Sequence, residues 1–437
     1  MSNTYRDCTN LTTAVCGPNV TNMSYTYRNC RNLTTAVCGD KVTDMSGTYI
    51  NCTNLTGTAI CGNNVINMWG TYVSTNITTA VCGPNVTDMS YTYQNCRNLT
   101  TAVCGPNVTT MLVAYWNCRN LTTAVCGPNV IYMGGAYESC TKLTTAVCGP
   151  NVTDMSKAYS GCTNLTTAVC GDKVTNMYQT YMNCTNLTIA VCGDKVTNLF
   201  RTYDGCTNLA TAICSPNVIE LYQTYQNCHN LTAAVCGDKV TSMAQAYQYC
   251  TNLTTAVCGP NVTHMSATYY GCTNLTTAVC GDKVIIMSGA YRNCTNLTTA
   301  VCGSKVTDMS NAYHSCINLT TATSGPSVTH MFNTYRNCTN IQGNAYFYSN
   351  NIVNVQNCFY NRNTSNRLNI YVHAGTTTNN TVMTTNNRSL VGASITWTTD
   401  ATNNCSYNTA RNLYIYYVAN VEAARIANGD PDYMGNI

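Results

Sequence analysis

Charged residues are scarce in this chain of 437 residues, of which Asp, Glu, Lys and Arg make up 9%. An average soluble domain has roughly 25%. The net charge is +4 and the basic residues form no cluster or stripe, so we expect no nucleic-acid binding. Just three glutamates occur, and no Ser-His-Asp spacing, paired carboxylates or phosphate loop is present. We therefore predict a protein that is not an enzyme, with no catalytic residue and no cofactor.

Long apolar runs are also missing. No stretch of 18 apolar residues occurs, so the sequence predicts no membrane span. The segment from Met1 to Cys8 lacks the apolar core of a secretory signal, so we expect no signal peptide. The chain is then either a mature form or a protein that folds in a reducing cytoplasm, and the initial Met favours the second.

A short internal repeat is what the sequence does contain. Residues 159–180 read YSGCTNLTTAVCGDKVTNMYQT, and versions of this unit return every 22 residues from Leu11 to Leu319. One unit is too small to form a core alone, so neighbouring units must stack. We therefore predict a β-rich solenoid of about 15 coils, in which the segment Leu165 to Cys170 forms a short strand.

The nearly invariant positions of the unit predict the inside of each coil. In the unit quoted above, the structural ladder comprises Tyr159, Cys162, Asn164, Leu165, Ala168, Cys170, Val174 and Met177. Thr166, Thr167 and Val169 should face outward, and Gly171 should allow a sharp turn. One irregularity, an extra residue at Gly57, should be absorbed by a loop, because a stacked strand cannot shift its register.

All of the 31 cysteines except Cys358 and Cys405 follow the repeat in two columns. The two cysteines of a coil are eight residues apart, unlike the close Cys pairs of zinc sites, so we predict no metal site. Cysteine as a small buried side chain is the favoured interpretation, and disulfides between adjacent coils are the alternative. Asn-Leu-Thr recurs at Asn10, Asn32, Asn164 and Asn252, and we interpret it as a stacked asparagine column rather than as glycosylation sites.

The changing positions are the candidates for binding. They follow each inward Met, or its Leu substitute, and each inward Tyr, and several carry residue types that anchor interfaces. The candidates are Tyr25, Trp69, Trp116, Tyr178, Phe200, Arg201, Tyr222 and Tyr270. The alternative is drift at unconstrained solvent positions, although such drift rarely keeps tryptophan.

The repeat from Tyr5 to Ile341 resembles the BspA-like, or Treponema-type, leucine-rich repeats. An aromatic residue, C-x-x-L, a strand, a turn and two further apolar positions recur in that order. Tyr replaces the usual Phe, and the second Cys stands where Ile or Leu is usual. The resemblance implies an adhesion or interaction role, and it names no ligand.

The composition changes after Ile341. We predict a solenoid over residues 1–341, a divergent capping coil over 342–360 and a small β-rich domain over 361–437. Strand-like runs occur at Leu368 to Val372, Ser394 to Thr398 and Leu413 to Val418, followed by a helical turn at Val421 to Ala427. This last region is similar to C-terminal modules of gut-phage tail and fibre proteins.

These features predict a non-enzymatic structural or adhesion protein. Our first hypothesis is a phage tail fibre or other virion component, assembled in the host cytoplasm, whose partner is a host cell-surface protein or glycan, or other virion proteins. The first alternative is a BspA-like adhesin located outside the cell or on its surface. The second is a self-assembling filament, because the first coil has no polar cap and should associate with another copy.

Overall fold

The computed structural model describes residues 1–373, 390–391, 397–400, 402 and 405–430. The chain forms two compact units, Met1–Val218 and Ile219–Ile437, and each is built of stacked coils. No helix in these ranges combines the length and the apolar composition needed to cross a bilayer.

Unit 1 (Met1–Val218) contains short parallel strands, one on each of several coils. They are β1 (Thr13–Ala14), β2 (Thr35–Ala36), β3 (Thr56–Ile60), β4 (Asn76–Val81), β5 (Thr101–Val103), β6 (Thr145–Ala146), β7 (Thr167–Ala168) and β8 (Ile189–Ala190). The strands pair as β1-β2, β3-β4-β5 and β6-β7-β8. Equivalent residues of successive coils lie side by side, as Thr145 does with Thr167. This register, repeated at steps of one sequence unit, confirms the predicted solenoid.

The strands are shorter than the sequence predicted. Strand β7 covers Thr167–Ala168 instead of the whole segment from Leu165 to Cys170. The backbone N–H of Leu165 donates to the carbonyl of Cys162 at 3.0 Å, within its own coil. Because that N–H is used in a turn, Leu165 cannot extend the ladder between coils.

The expectation that a loop absorbs the extra residue is wrong. The parallel pairing of β3 with β4 shifts between Gly57 and Thr58, so the irregularity lies inside a strand. Gly57 has a φ of +77°, which a residue without a Cβ adopts at little cost. The result is a β-bulge: Gly57 and Thr58 pair with Ile77 and Thr79, and Thr78 of β4 is left without a partner in β3.

The inside of unit 1 consists of columns of like residues. Of the predicted ladder, all members except Asn164 are buried, namely Tyr159, Cys162, Leu165, Ala168, Cys170, Val174 and Met177. The tyrosine rings from Tyr5 to Tyr203 stack on one another with centroids 5.3–5.8 Å apart. Offset stacking of this kind adds to the free energy gained by burial alone.

The buried cysteines of the column that includes Cys52 and Cys162 donate weak hydrogen bonds to backbone carbonyls. The thiol of Cys52 lies 3.0 Å from the carbonyl oxygen of Tyr27 in the preceding coil. Burial raises the pKa of the Cys52 thiol to about 12. The reactive thiolate is therefore nearly absent at neutral pH.

Gly171 does not serve the turn in the way that the sequence suggested. Its φ lies outside the left-handed region, so the turn does not require glycine. A Cβ on Gly171 would instead lie 3.1 Å from both the Cys148 thiol and the Gly149 carbonyl oxygen of the preceding coil. Glycine is needed here because two coils approach closely.

Two backbone ladders of opposite direction hold the coils together. On the side that carries the residue after the inward Val, the later coil donates to the earlier one, as from the Thr43 N–H to the Thr21 carbonyl at 2.8 Å. On the side that carries Met and Tyr, the earlier coil donates to the later one, as from Tyr25 to Ser46 at 2.9 Å. An inner coil thus donates to, and accepts from, both of its neighbours.

Unit 2 (Ile219–Ile437) contains similar coils followed by a larger sheet. Its strands are β9 (Ala322–Ser324), β10 (Gly343–Phe347), β11 (Leu368–His373), β12 (Thr398–Asp400), β13 (Cys405–Asn408) and β14 (Leu413–Val418). The sheet order is β12-β13-β14-β11-β10-β9. Strands β9, β10, β11 and β14 are parallel, β13 is antiparallel to its neighbour β14, and β12 is antiparallel to its neighbour β13.

The last helix described in unit 2 is α1 (Val421–Ala427). Its Asn420 cap accepts from the N–H of Ala423 at 3.0 Å, and Glu422 accepts from the Tyr348 hydroxyl at 2.9 Å. The strands predicted to begin at Leu368 and Leu413 are present, and so is the helical turn predicted to begin at Val421. Residues 394–396 of the remaining predicted strand lie outside the described residues, and β12 begins at Thr398.

Candidate functional site

The changing positions of the repeat lie where the backbone turns sharply. The second residue after each inward Met or Leu has a positive φ, for example +52° at Tyr25, +56° at Val113 and +52° at Arg201. Asparagine or aspartate before the Met begins this turn, since the Asn22 side chain accepts from the N–H of Ser24 at 2.8 Å. The sequence did not reveal that these positions combine variable side chains with a constrained backbone.

Two of the aromatic candidates in unit 1 contact each other. The rings of Tyr178 and Phe200 are stacked with centroids 5.3 Å apart. Trp69, with 38% of its surface exposed, instead lies against Tyr91 at 5.6 Å, a residue that was not among the candidates. Within unit 1 the structure therefore forms separate aromatic pairs.

The other candidates have local partners. The guanidinium of Arg201 binds Asp204 through two nitrogens, at 3.0 and 2.8 Å. Trp116 hydrogen-bonds the Glu138 carboxyl, whose pKa is raised chiefly by burial. Tyr25 lies 6.0 Å from the guanidinium carbon of Arg28. In unit 2, Tyr222 and Tyr270 are both half-buried.

A concave surface in unit 1 is a groove of about 1190 Å³ that crosses eight coils. Two columns line it. One column follows the inward Val and comprises Thr21, Thr43, Ile66, Thr87, Thr109, Ile131 and Thr153. The other precedes that Val and comprises Lys41, Asn64, Asn85, Asn107, Asn129, Asn151 and Lys173. With coils about 4.8 Å apart, the groove is about 34 Å long.

We call the column of Thr and Ile residues the floor of the groove. Its backbone groups are already hydrogen-bonded between neighbouring coils. Thr109 donates its N–H to the Thr87 carbonyl at 2.9 Å, and Ile131 donates to Thr109 at 2.9 Å. The hydroxyl of Thr109 also donates to the Thr87 carbonyl, at 3.2 Å. Threonine methyl groups and isoleucine side chains therefore supply apolar surface between the polar groups. An extended peptide could not join this floor as a further strand, because such addition needs a free edge.

We call the column that runs from Lys41 to Lys173 the asparagine wall, and it presents hydrogen-bond acceptors. Asn107 and Asn129 donate their amide hydrogens to the carbonyls of Pro84 and Pro106, each at 2.9 Å. Their Oδ1 atoms make no hydrogen bond in the described part of the chain, so a file of amide oxygens follows the groove. The two charged lining residues stand at its ends, and the Lys173 ammonium donates to Asn151 Oδ1 at 2.7 Å.

Sequence reasoning missed the groove because its columns hardly change and looked like scaffold. The available signal was the turn after each second Cys. That turn carries Pro-Asn in four successive coils, at Asn85, Asn107, Asn129 and Asn151, whereas Asp-Lys follows at Lys173. An unbroken run of neutral turns predicts a continuous uncharged wall.

The described residues include no group of three or more His, Cys, Asp or Glu side chains that could hold a metal ion. The geometry offers hydrogen-bond acceptors, methyl groups and paired aromatic rings, which are features of recognition.

Comparison with known families identifies the class. A family model described as "BspA type Leucine rich repeat region (6 copies)" matches residues 1–100, 72–188, 181–285 and 265–387. The chain belongs to this family of leucine-rich-repeat proteins.

Two solved structures resemble the chain. One is a leucine-rich repeat protein from Bacteroides ovatus, with a TM-score of 0.57 and 14% identity over 84% of this chain and 88% of that one. The other is a leucine rich cell surface protein from Faecalibacterium prausnitzii, with a TM-score of 0.42 and 17% identity over 67% and 87%. The search of curated proteins gave no match.

Proposed function

We propose that this protein is a non-enzymatic adhesin that binds an extended, uncharged polysaccharide in the groove of unit 1. The file of asparagine Oδ1 atoms between Lys41 and Lys173 supports this proposal most directly. Sugar hydroxyls would donate to these oxygens, while the Thr and Ile side chains contact the apolar faces of the sugar rings. Membership of the BspA-type family favours an adhesion role over the tail-fibre hypothesis.

Binding can be measured by affinity electrophoresis of the full chain through gels that contain a neutral β-glucan, xylan or mannan. The decisive variant is Thr109→Tyr, which places a large ring on the groove floor. Its matched control is Thr166→Tyr, since the Thr166 hydroxyl donates to a preceding carbonyl at 3.4 Å in the same way, on an exposed strand face.

We expect at least one polysaccharide to retard the wild-type protein and the Thr166→Tyr variant equally. The Thr109→Tyr variant should lose most of that retardation, because the ring blocks the groove. Equal retardation of both variants would show that binding occurs elsewhere. Failure of every neutral polysaccharide, with binding of a protein ligand instead, would overturn the proposed ligand class.

A tail fibre is the second candidate, favoured by the similarity of residues 361–437 to phage tail modules. Genes for capsid, portal or tape-measure proteins next to the gene for this chain would support it. A neighbourhood without such genes would exclude it in favour of the adhesin.

A further inference from the structure

In unit 2 a file of basic and aromatic side chains crosses five successive coils. It consists of the residue that follows each inward Tyr or Phe, and we call Tyr270, Arg292, His314, Arg336 and Tyr360 the basic file. Backbone hydrogen bonds hold its members in step, because each carbonyl from Arg292 onward accepts an N–H from the preceding coil at 2.7–2.8 Å. The side chains therefore follow one another at the spacing of the coils, about 4.8 Å.

The two arginines of the basic file have aromatic neighbours but no acidic partner. The guanidinium carbon of Arg292 lies 5.4 Å from the centroid of the Tyr270 ring, and that of Arg336 lies 4.6 Å from the Tyr360 ring. In the described part of the chain neither arginine forms an ion pair. Arg425 of the same unit, by contrast, pairs with Glu422 at 2.5 Å. The charge of the basic file is thus uncompensated.

Among the described residues, three nitrogen atoms of the basic file are enclosed and have no hydrogen-bond partner. They are Arg292 Nε, His314 Nδ1 and Arg336 Nε. The Asn337 amide nitrogen lies 3.3 Å from His314 Nε2, so Nε2 accepts and the neutral ring carries its hydrogen on Nδ1. All three atoms are therefore donors, and a buried donor without an acceptor is costly. Because these three atoms are enclosed, a ligand at the surface would instead contact the terminal nitrogens of the two guanidinium groups, which make no hydrogen bond in the described part of the chain.

The charge state of His314 agrees with this picture. Burial and the two flanking arginines lower the pKa of His314 to about 4. The imidazole is therefore neutral at pH 7, and it adds no third positive charge to the basic file.

We propose that the basic file binds the sulfate or carboxylate groups of an acidic polysaccharide. Guanidinium groups bind planar or tetrahedral oxyanions through charge-assisted hydrogen bonds. Arg292 and Arg336 are two coils apart, about 10 Å along the stack, so each can hold a separate anionic group of one polymer. The half-buried ring of Tyr270 and the exposed ring of Tyr360 add flat apolar surface at the two ends.

A polysaccharide fits this surface better than an acidic peptide. The carbonyls along the basic file already accept hydrogen bonds, as that of Arg336 does from the N–H of Ser315 at 2.7 Å. A peptide backbone would therefore find no ladder to extend. This site belongs to unit 2 and is independent of the groove proposed as the neutral site in unit 1.

The test is a titration of the full chain with dextran sulfate and with unmodified dextran, followed by isothermal calorimetry. The decisive variant is Arg292→Gln with Arg336→Gln. Its control is Lys283→Gln, since Lys283 is an exposed cation of the same unit that donates to Asn261 at 2.6 Å. We expect dextran sulfate to bind, and the affinity to fall at least about tenfold for each arginine removed. The Lys283→Gln variant should bind as tightly as the wild-type protein.

Inorganic sulfate and a poly-aspartate peptide complete the experiment. We expect sulfate alone to bind more weakly than the polymer, because it reaches one arginine at a time. The proposal is overturned if dextran sulfate does not bind, or if the double variant and Lys283→Gln lose equal affinity. Tighter binding of poly-aspartate would also overturn it. Arg292→Lys with Arg336→Lys keeps both charges and should show an intermediate loss, which separates the guanidinium geometry from simple attraction.

Discussion

The inward and outward columns of the coil show how one repeat can be both uniform and variable. Inward residues such as Leu165 and Tyr159 are fully buried between their equivalents in the adjacent coils. Outward residues have room to differ, so the same turn carries Tyr25 in one coil and Arg201 in another. Variation outside is nevertheless limited by the backbone, because both of these residues have the same left-handed φ of +52°. Side-chain freedom and backbone freedom are thus separate properties in this fold.

The difference between inward and outward residues is tested most directly by replacing one of each, in the same coil, with alanine. Leu165→Ala should lower the free energy of unfolding by about 2–5 kcal/mol, since it leaves a cavity in a stacked core. Thr166→Ala next to it, on the exposed side, should change it by less than about 0.5 kcal/mol. Urea unfolding followed by circular dichroism measures both. Equal effects would contradict the assignment of inside and outside.

Close approach of the coils can be tested at a glycine. A Cβ on Gly127 would lie 2.9 Å from both the Cys104 thiol and the Gly105 carbonyl oxygen, so Gly127→Ala should destabilise unit 1 by about 1–3 kcal/mol. Gly17 occupies the same column, where the nearest atom to a Cβ is Val20 Cγ2 at 3.7 Å. Gly17→Ala should therefore be close to neutral. Thermal unfolding of the two variants decides whether packing or turn geometry requires glycine in this column.

The basic file predicts a dependence of stability on pH. The pKa of His314 falls from an ordinary 6.5 to about 4 on folding. Between these values the unfolded chain binds a proton that the folded chain does not, so stability decreases as the pH falls from 6.5 to 4. The loss should be on the order of 1 kcal/mol, because solvent screens a half-buried group.

The matched variant for this titration is His314→Gln, which cannot take up the proton. Urea unfolding at pH 7 and at pH 4.5 should show a smaller acid-induced loss for the variant than for the wild-type protein. Carboxylates contribute equally to both proteins. Identical losses would mean that His314 titrates normally.

The smallest effect sharpens the distinction between side chain and backbone. Ala267 has a φ of +52°, which is unfavourable for a residue with a Cβ, so Ala267→Gly should stabilise unit 2 by about 0.5–1 kcal/mol. Ala244 is also half-buried, and its φ lies outside the left-handed region. Ala244→Gly should therefore destabilise by a similar amount. Opposite signs for the same substitution, measured by thermal unfolding, would establish the backbone constraint.

Much of the fold could be predicted because the same residue pattern, and therefore the same contact between coils, recurs many times. Leu165 and Met177 recur at fixed spacing, and a buried column tolerates few residue types. The bulge at Gly57 could not be placed, because a single insertion has no repetition to support it. The strand length was also overestimated, because the hydrogen bond from the Leu165 N–H to the Cys162 carbonyl cannot be predicted from the residue types.

The candidate sites were harder to predict for a related reason. Trp69 and Phe200 are conspicuous as residue types. Their ring partners, Tyr91 and Tyr178, can be identified only when it is known which columns lie next to each other. Asn107 and Asn129 look like scaffold, and only the arrangement of eight coils shows that they line a groove. In the basic file, the sequence lists Arg292 and Arg336 44 residues apart, and stacking makes them near neighbours.

The sequence by itself determined the period, the parallel stacking and the identity of the buried columns, because each follows from a pattern that hydrophobic burial must satisfy. The tertiary structure decided which outward columns meet, which donors stay unpaired and where the surface becomes concave. Those properties depend on distances between coils and on the direction of each turn, neither of which one repeat contains.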